Sequence, residues 1–494
     1  MASSERELQP TNEGAGREKP ELGVTVTGVQ PSFTAPPPRV TLNPADCEID
    51  FDIGCNGLQG SALYQNVFAW CWSGARANVG ITGGKYCFGC KIISDQPIHL
   101  VDTPPFRNNL CAVGVSRGDD PVGNLGESLH SFFYWATGKT YTGGRSSYYG
   151  CRVDYYGESF EVGDTITCCL DLETSDHPLV SFSKNGEWLG VAGNIEDHLI
   201  EHPDQQSAFF PHIVLKNVVV RLQFSVEDGL EVVNGYKPWA SAIEDGKALP
   251  GPSFSDIDDC ELRMLVGLPA SGKSTWADEW VKEHPEKRYI VLGTGLIYDK
   301  IKAHAITNKY NYGERFDEIS NTLLPRASKL PRNFILDERN LNKIDRTSKL
   351  EQFSNHKKIA VVFFPTFQEL QMRCDKQLQE KWSEGDKVSK VPMIPMNEMI
   401  VNFSLPTSKD MPCADEYFDE VMFLELGREE AQRCLDAMKA HIHSGLPTNL
   451  APHSRSEEAI DMNPAPAPRY DPGTSSVQPP GGGYAPDREM PPES

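Results

Sequence analysis

Residues 261–275 read ELRMLVGLPASGKST, an apolar run that passes directly into Gly267, Leu268, Pro269, Ala270, Ser271, Gly272, Lys273, Ser274 and Thr275. The stretch fits GxxxxGK[ST], and its flanks are those the motif requires: a strand before it and an amphipathic segment after it. Glycines let backbone N–H groups curl around phosphate oxygens, and the following helix N-terminus adds a favourable dipole. In that arrangement Lys273 bridges the β- and γ-phosphates and Ser274 offers its hydroxyl oxygen to Mg²⁺.

Downstream, strand-like runs RYIVLG, NFILDE, IAVVFF and DEVMFLEL alternate with helix-like segments near 296–304, 342–354, 367–382 and 395–403. A last helix repeats Ala431, Leu435, Met438 and Ile442 at spacings of three and four. Continuous apolar strands between amphipathic helices predict a parallel sheet covered on both faces, an α/β domain over 261–445. A metal-bound phosphate needs a carboxylate at the C-terminal end of a neighbouring strand, and Asp337 follows FIL immediately. Asp337 is therefore the candidate second Mg²⁺ ligand beside Ser274, with Glu338 expected to point away or to reach the ion through water.

The 494 residues carry 47 Lys+Arg and 69 Asp+Glu, a net charge of −22, which excludes wholesale electrostatic gripping of nucleic acid. Residues 47–240 hold 12 basic and 23 acidic groups, so the acidity sits mainly in the first half. Residues 282–358 hold 16 Lys+Arg against 10 Asp+Glu, and Lys343, Arg346 and Lys349 are spaced to share one helical face, a candidate RNA contact. No apolar run approaches a membrane span and no secretory leader is visible, so an intracellular protein with no membrane partner is expected. The 13 cysteines are expected to be reduced thiols, and Cys87 and Cys90 to be buried strand residues instead of a zinc pair.

Between 47 and 240 short alternating runs such as NVFAWCW, DTITCCLDL and VVVRLQF are separated by turn signals, which predicts an antiparallel β-sandwich. Asn185-Gly186 between LVSFSK and EWLGVA marks a type I′ hairpin, because both positions tolerate positive φ. The runs Gly163–Asp171 and Val180–Gly190 resemble the central signature of SPRY domains. That resemblance implies two bent sheets whose loops bind a protein partner.

Residues 336–340 (LDERN), GLPASGKSTW, Asn402–Pro406 and Tyr417–Val421 together resemble the heterogeneous nuclear ribonucleoprotein U and U-like family. The resemblance implies a SPRY domain followed by a P-loop NTPase or kinase-like domain similar to polynucleotide 5′-kinases. It also implies a nuclear, RNA-binding protein of RNA-processing or transcription-linked complexes that binds ATP and Mg²⁺. Members typically add an N-terminal SAP module and a C-terminal Arg-Gly-Gly segment. Here residues 446–494 contain three arginines and no RGG triplet.

The expected organisation is a disordered segment 1–46, a SPRY-like sandwich 47–240, an acidic linker 241–260, the P-loop α/β domain 261–445, and a disordered Pro/Gly-rich tail 446–494. Phosphoryl transfer would add a base and a cation over the γ-phosphate, for which Asp299 and Arg373 are the candidates. Two readings stay open: a nucleotide-binding interaction protein and a polynucleotide 5′-hydroxyl kinase. The kinase reading requires Asp299 and Arg373 to converge beside Lys273.

Overall fold

The computed structural model describes residues 39–98, 109–118, 120–123, 130–143, 151–195, 208–293, 296, 312–383, 396–412 and 416–444. Two antiparallel sheets make the first module. One follows the path Leu42–Cys47, Ser73–Ala77, Phe209–Lys216, Leu110–Arg117, Ser131–Trp135, Lys139–Gly143 and Cys151–Tyr155. The other runs Glu187–Asn194, Leu179–Lys184, Thr165–Asp171, Lys85–Asp95, Val218–Gln223, Gln59–Ala62 and Phe51–Ile53. Phe88, Tyr134, Phe182, Phe224 and Trp239 fill the space between them. The hairpin forms where Asn-Gly predicts it, with Asn185 at φ 52° and Gly186 at φ 81°.

In the second module β1 (Glu261–Val266), β2 (Ile290–Gly293), β3 (Phe334–Asp337), β4 (Lys357–Val362) and β5 (Glu420–Phe423) form a parallel sheet in the order β2-β3-β1-β4-β5. Helices α1 (Lys273–Glu283), α2 (Tyr312–Ala327), α3 (Lys343–Gln352), α4 (Phe367–Ser383), α5 (Met396–Asn402) and α6 (Arg428–His443) accompany it. Strand alternation divides the core: Leu262, Met264 and Val266 join one apolar cluster, while Leu265 joins another against Ala277 of α1. Because β1 lies between β3 and β4, the loop leaving its C-terminal end opens at the point where strand order reverses. The expected helix near 296–304 lies outside the described residues apart from Leu296. Among the described residues, no helix is long and apolar enough to cross a membrane.

The stretch 241–260 is not a free linker. It forms a helical turn at Ser241–Glu244, and Ala248–Pro250 adds an antiparallel strand to Val79–Ile81. Gly251 N–H donates to the Asn78 carbonyl at 2.8 Å, and Asn43 Nδ2 donates to the Pro252 carbonyl at 2.9 Å. Acidic side chains made the segment look solvated, yet its backbone satisfies a sheet edge.

The two modules also share a core. Ile49, Val67 and Phe68 of the sandwich side are buried in the same cluster as Ile319 and Leu323 of α2. Arg326 of α2 donates to the Ile49 carbonyl at 2.7 Å and to Asp52 at 2.6 Å, and Arg332 donates to the Cys47 carbonyl at 2.9 Å. Asp46, fully buried, accepts from Arg76 of the sandwich and from Arg288 of the second module, each at 2.8 Å. Burial alone would raise the Asp46 carboxyl, but Arg76 and Arg288 outweigh it and hold it below the usual carboxylate range.

Truncating Phe68 tests this joint core. Phe68→Ala should cost about 3–5 kcal/mol in denaturant unfolding, and should accelerate amide exchange in residues 318–327 of the other module. Accelerated exchange confined to the sandwich would show the modules to be energetically separate.

Candidate functional site

The loop between β1 and α1 is shaped by positions that reject ordinary side chains. A Cβ on Gly267 would meet Ser271 Oγ at 2.6 Å and the Phe363 carbonyl oxygen at 2.8 Å. Gly272 caps α1 with φ 98° in the left-handed region. Ala270 reaches φ 62° despite its side chain, so strain is retained at the loop tip. Gly267 N–H donates to the Arg339 carbonyl at 3.2 Å, which ties the loop to the residues just beyond β3.

Lys273 is buried at the start of α1, where its ammonium donates to the carbonyl oxygens of Gly267 at 2.9 Å and Leu268 at 2.8 Å. Burial pushes this lysine down to about 8, with Asp337 opposing the shift and Arg339 reinforcing it. Asp337 ends β3 and is likewise buried, and the Ser274 hydroxyl is hydrogen-bonded to its carboxylate. Burial raises the Asp337 carboxyl, partly offset by Ser274 and Lys273, while Asp278 and Glu338 add to the rise. Ser274 and Asp337 present hard oxygen donors on one side of the loop, a set that fits Mg²⁺, which keeps several waters and takes few protein ligands. Among the described residues no cluster of three or more His, Cys, Asp or Glu forms a metal cage, and such an ion needs none.

Arg373 of α4 does reach the loop. Its Nη1 donates to the Ser271 carbonyl at 3.0 Å and to Glu425 at 2.9 Å, while Nε donates to Glu369 at 2.7 Å. Partial burial works against its charge, but Glu425 and Glu369 outweigh that and raise its affinity for the proton. Asp299 lies outside the described residues. Glu338 turns away as expected, paired with Lys349 and accepting from Ser320 Oγ at 3.1 Å.

The basic stripe on α3 is not an open surface. Arg346 is fully buried: it pairs with both oxygens of Glu416, at 2.7 and 3.0 Å, and donates to the carbonyls of Asn340, Leu341 and Ser404. Lys349 binds Glu338 and, at 2.8 Å, Asn340 Oδ1. Two of the three candidate RNA contacts thus serve the fold, because a guanidinium can enter a core when all its donors are used. Sequence reasoning also missed Glu369 and Glu425, which position Arg373, and Asn340, which takes φ 47° and donates to the Leu265 carbonyl at 2.8 Å. Of these, only the i,i+4 spacing of Glu369 and Arg373 gave any sequence signal.

The fold and this loop define a SPRY sandwich joined to a P-loop module. Residues 105–227 match the SPRY domain family and residues 262–406 match the AAA domain family. The chain is 31% identical to the human heterogeneous nuclear ribonucleoprotein U-like protein 2 over 423 residues, and equally so to the mouse protein over 422. That similarity spans 83% of the chain, which carries a SPRY domain followed by the P-loop domain. The chain spans about half the length of these curated relatives, 52%. A shorter match, 33% identical over 189 residues, is to the ATP-dependent RNA helicase DDX1 of Xenopus laevis, covering 38% of this chain and 21% of that protein.

Removing one partner of the buried pair gives a sharp expectation. Arg346→Met should destabilise by about 3–5 kcal/mol, and adding Glu416→Leu should restore part of the loss. Urea midpoints measure both. An Arg346→Met midpoint equal to wild type would return this arginine to the list of surface contacts.

Proposed function

We propose that this chain is a ribonucleoprotein-associated interaction protein whose P-loop module binds ATP with Mg²⁺ and whose SPRY module holds a protein partner. The carrying observation is the constellation of buried Lys273 after β1, buried Asp337 at the end of β3 and the exposed Ser274 bonded to it, with Arg373 anchored to the same loop. Lys273 would exchange two carbonyl acceptors for phosphate oxygens, Ser274 and Asp337 would hold the ion, and Arg373 would stand over the phosphates. When bound, Mg²⁺ supplies positive charge beside the β- and γ-phosphoryl oxygens. The names of the relatives support an RNA association and a nuclear setting. The α3 stripe does not carry the RNA assignment, since Arg346 and Lys349 are engaged in the fold.

The second reading is a polynucleotide 5′-hydroxyl kinase with Asp299 as base, and the arrival of Arg373 at the loop is the observation that favours it. The two readings agree on nucleotide binding and differ on turnover.

Calorimetry on the full chain should give ATP–Mg²⁺ binding that Lys273→Ala abolishes. Equal affinity in the variant would overturn the phosphate-loop assignment. Binding without phosphate transfer to 5′-hydroxyl RNA supports the interaction protein, and transfer abolished by Asp299→Asn supports the kinase. RNA binding should weaken only gently with added salt, because the second module is nearly neutral, with 27 Lys+Arg against 28 Asp+Glu over 261–445, and only its stretch 282–358 is net basic; absence of RNA affinity at low salt would remove direct RNA contact.

Protonation provides a second signature. With Lys273 held near 8, about half of it is neutral at pH 8. Phosphate binding favours the ammonium, so ATP binding at pH 8 should take up a fraction of a proton, and none at pH 6, where the lysine is already charged. Calorimetry in buffers of different ionisation enthalpy reads this directly. Equal proton uptake at pH 6 and pH 8 would assign the effect to another group.

A further inference from the structure

Cys87 and Cys90 sit three residues apart on the strand Lys85–Asp95, so they point to opposite faces of the sheet. Cys90 turns into the sandwich, where it is hydrogen-bonded to Cys111. Cys87 turns outward and directly faces Cys169 across the antiparallel strand Thr165–Asp171, and their thiols are hydrogen-bonded to each other. The Cys87 carbonyl accepts from Trp239 N–H at 2.9 Å on the other side of the strand. Its peptide groups therefore face away from Cys169, which makes this a non-hydrogen-bonded pair. Facing Cα atoms in such pairs are about 4.5 Å apart, within the ~4.4–6.8 Å that a disulfide spans.

Among the described residues, the pair clusters with Leu230, Val233 and Tyr236 of the segment following Val226–Asp228, whereas Cys90, Cys111 and Cys168 belong to the core between the two sheets. Val233 and Tyr236 are also walls of a surface groove completed by Trp188 and Glu231, so the pair lies one side chain below solvent. Tyr236 and Trp188 stack loosely across that groove, with ring centroids 6.2 Å apart.

We infer that Cys87 and Cys169 form a redox-modification site, a dithiol that a hydroperoxide converts to a cross-strand disulfide. Cys87 is the attacking thiolate. The Cys169 thiol and the Val233 N–H both donate to its sulfur and lower its pKa against the cost of burial, whereas the core thiols Cys111 and Cys168 are driven up. The Cys87 thiolate attacks one peroxide oxygen; the S–O bond forms, the O–O bond breaks, and the departing alkoxide or hydroxide takes a proton. Cys87 is then a sulfenic acid. Cys169 sulfur attacks it, the S–S bond forms as the S–O bond breaks, and hydroxide leaves with the Cys169 proton as water. Two thiols lose two electrons in total and the peroxide gains them.

The test treats the reduced full-length chain with hydrogen peroxide, blocks remaining thiols, and maps linked peptides by mass spectrometry. The expected result is a Cys87–Cys169 link that dithiothreitol reverses. In Cys169→Ala, Cys87 should instead be trapped by a sulfenic-acid reagent, and Cys55→Ser, which alters an exposed thiol, should leave the link intact. Recovery of Cys87 and Cys169 as free thiols while Cys55 is oxidised would overturn the proposal, as would a link from Cys87 to any other cysteine. The wild-type map decides the matter even if the Cys169 variant fails to fold.

Discussion

A single buried carboxylate, Asp46, carries much of the molecule's arrangement. Arg76 spends all its donors around it, bonding Asp46, Ser116 Oγ and the carbonyls of Arg117 and Asp120, while Arg288 approaches from the other module. A carboxylate this deep is tolerable only when paired and hydrogen-bonded on several sides. Once it is fixed, the chain from Cys47 to Asp52 presents its carbonyls to Arg332 and Arg326, and Ile49 and Phe68 enter the second module's core. The sandwich and the phosphate-loop module are thus built around one shared segment instead of being strung together.

The chemistry of the loop follows from the same economy of charge. Lys273 is buried among carbonyl oxygens beside a buried Asp337, and burial disfavours the charged form of each. Two groups held in that tension would respond strongly to an arriving phosphate and its cation, because each would gain a partner in a poorly screened place. Arg373 is poised differently: Glu369 and Glu425 hold its charge fixed, and its one bond to the loop backbone keeps it within reach.

Much of this was readable in the sequence. GLPASGKST after ELRMLV located the loop and its flanking strand and helix, FILD located the carboxylate, and Asn185-Gly186 located a hairpin, because each is a local requirement of backbone geometry. What was not readable depends on distant partners. Arg326 and Asp52 lie 274 residues apart, and nothing in either neighbourhood announces the other. Arg346 has the spacing of a surface stripe and the surroundings of a core residue, since its partner Glu416 comes from 70 residues away. Residues 241–260 looked like a linker because charge composition is silent about backbone pairing, which is what draws Ala248–Pro250 into the sandwich.

The claim that binds these strands together is that the phosphate loop and the SPRY sandwich belong to one cooperative unit that nucleotide stabilises. Scanning calorimetry of the full chain with and without ATP–Mg²⁺ tests it most directly. The account predicts one unfolding transition that moves up as a whole with ligand, by about 2.7 kcal/mol when the nucleotide is at 100 times its dissociation constant. Two transitions of which only one responds to ATP, or a single transition that ATP leaves in place, would contradict it.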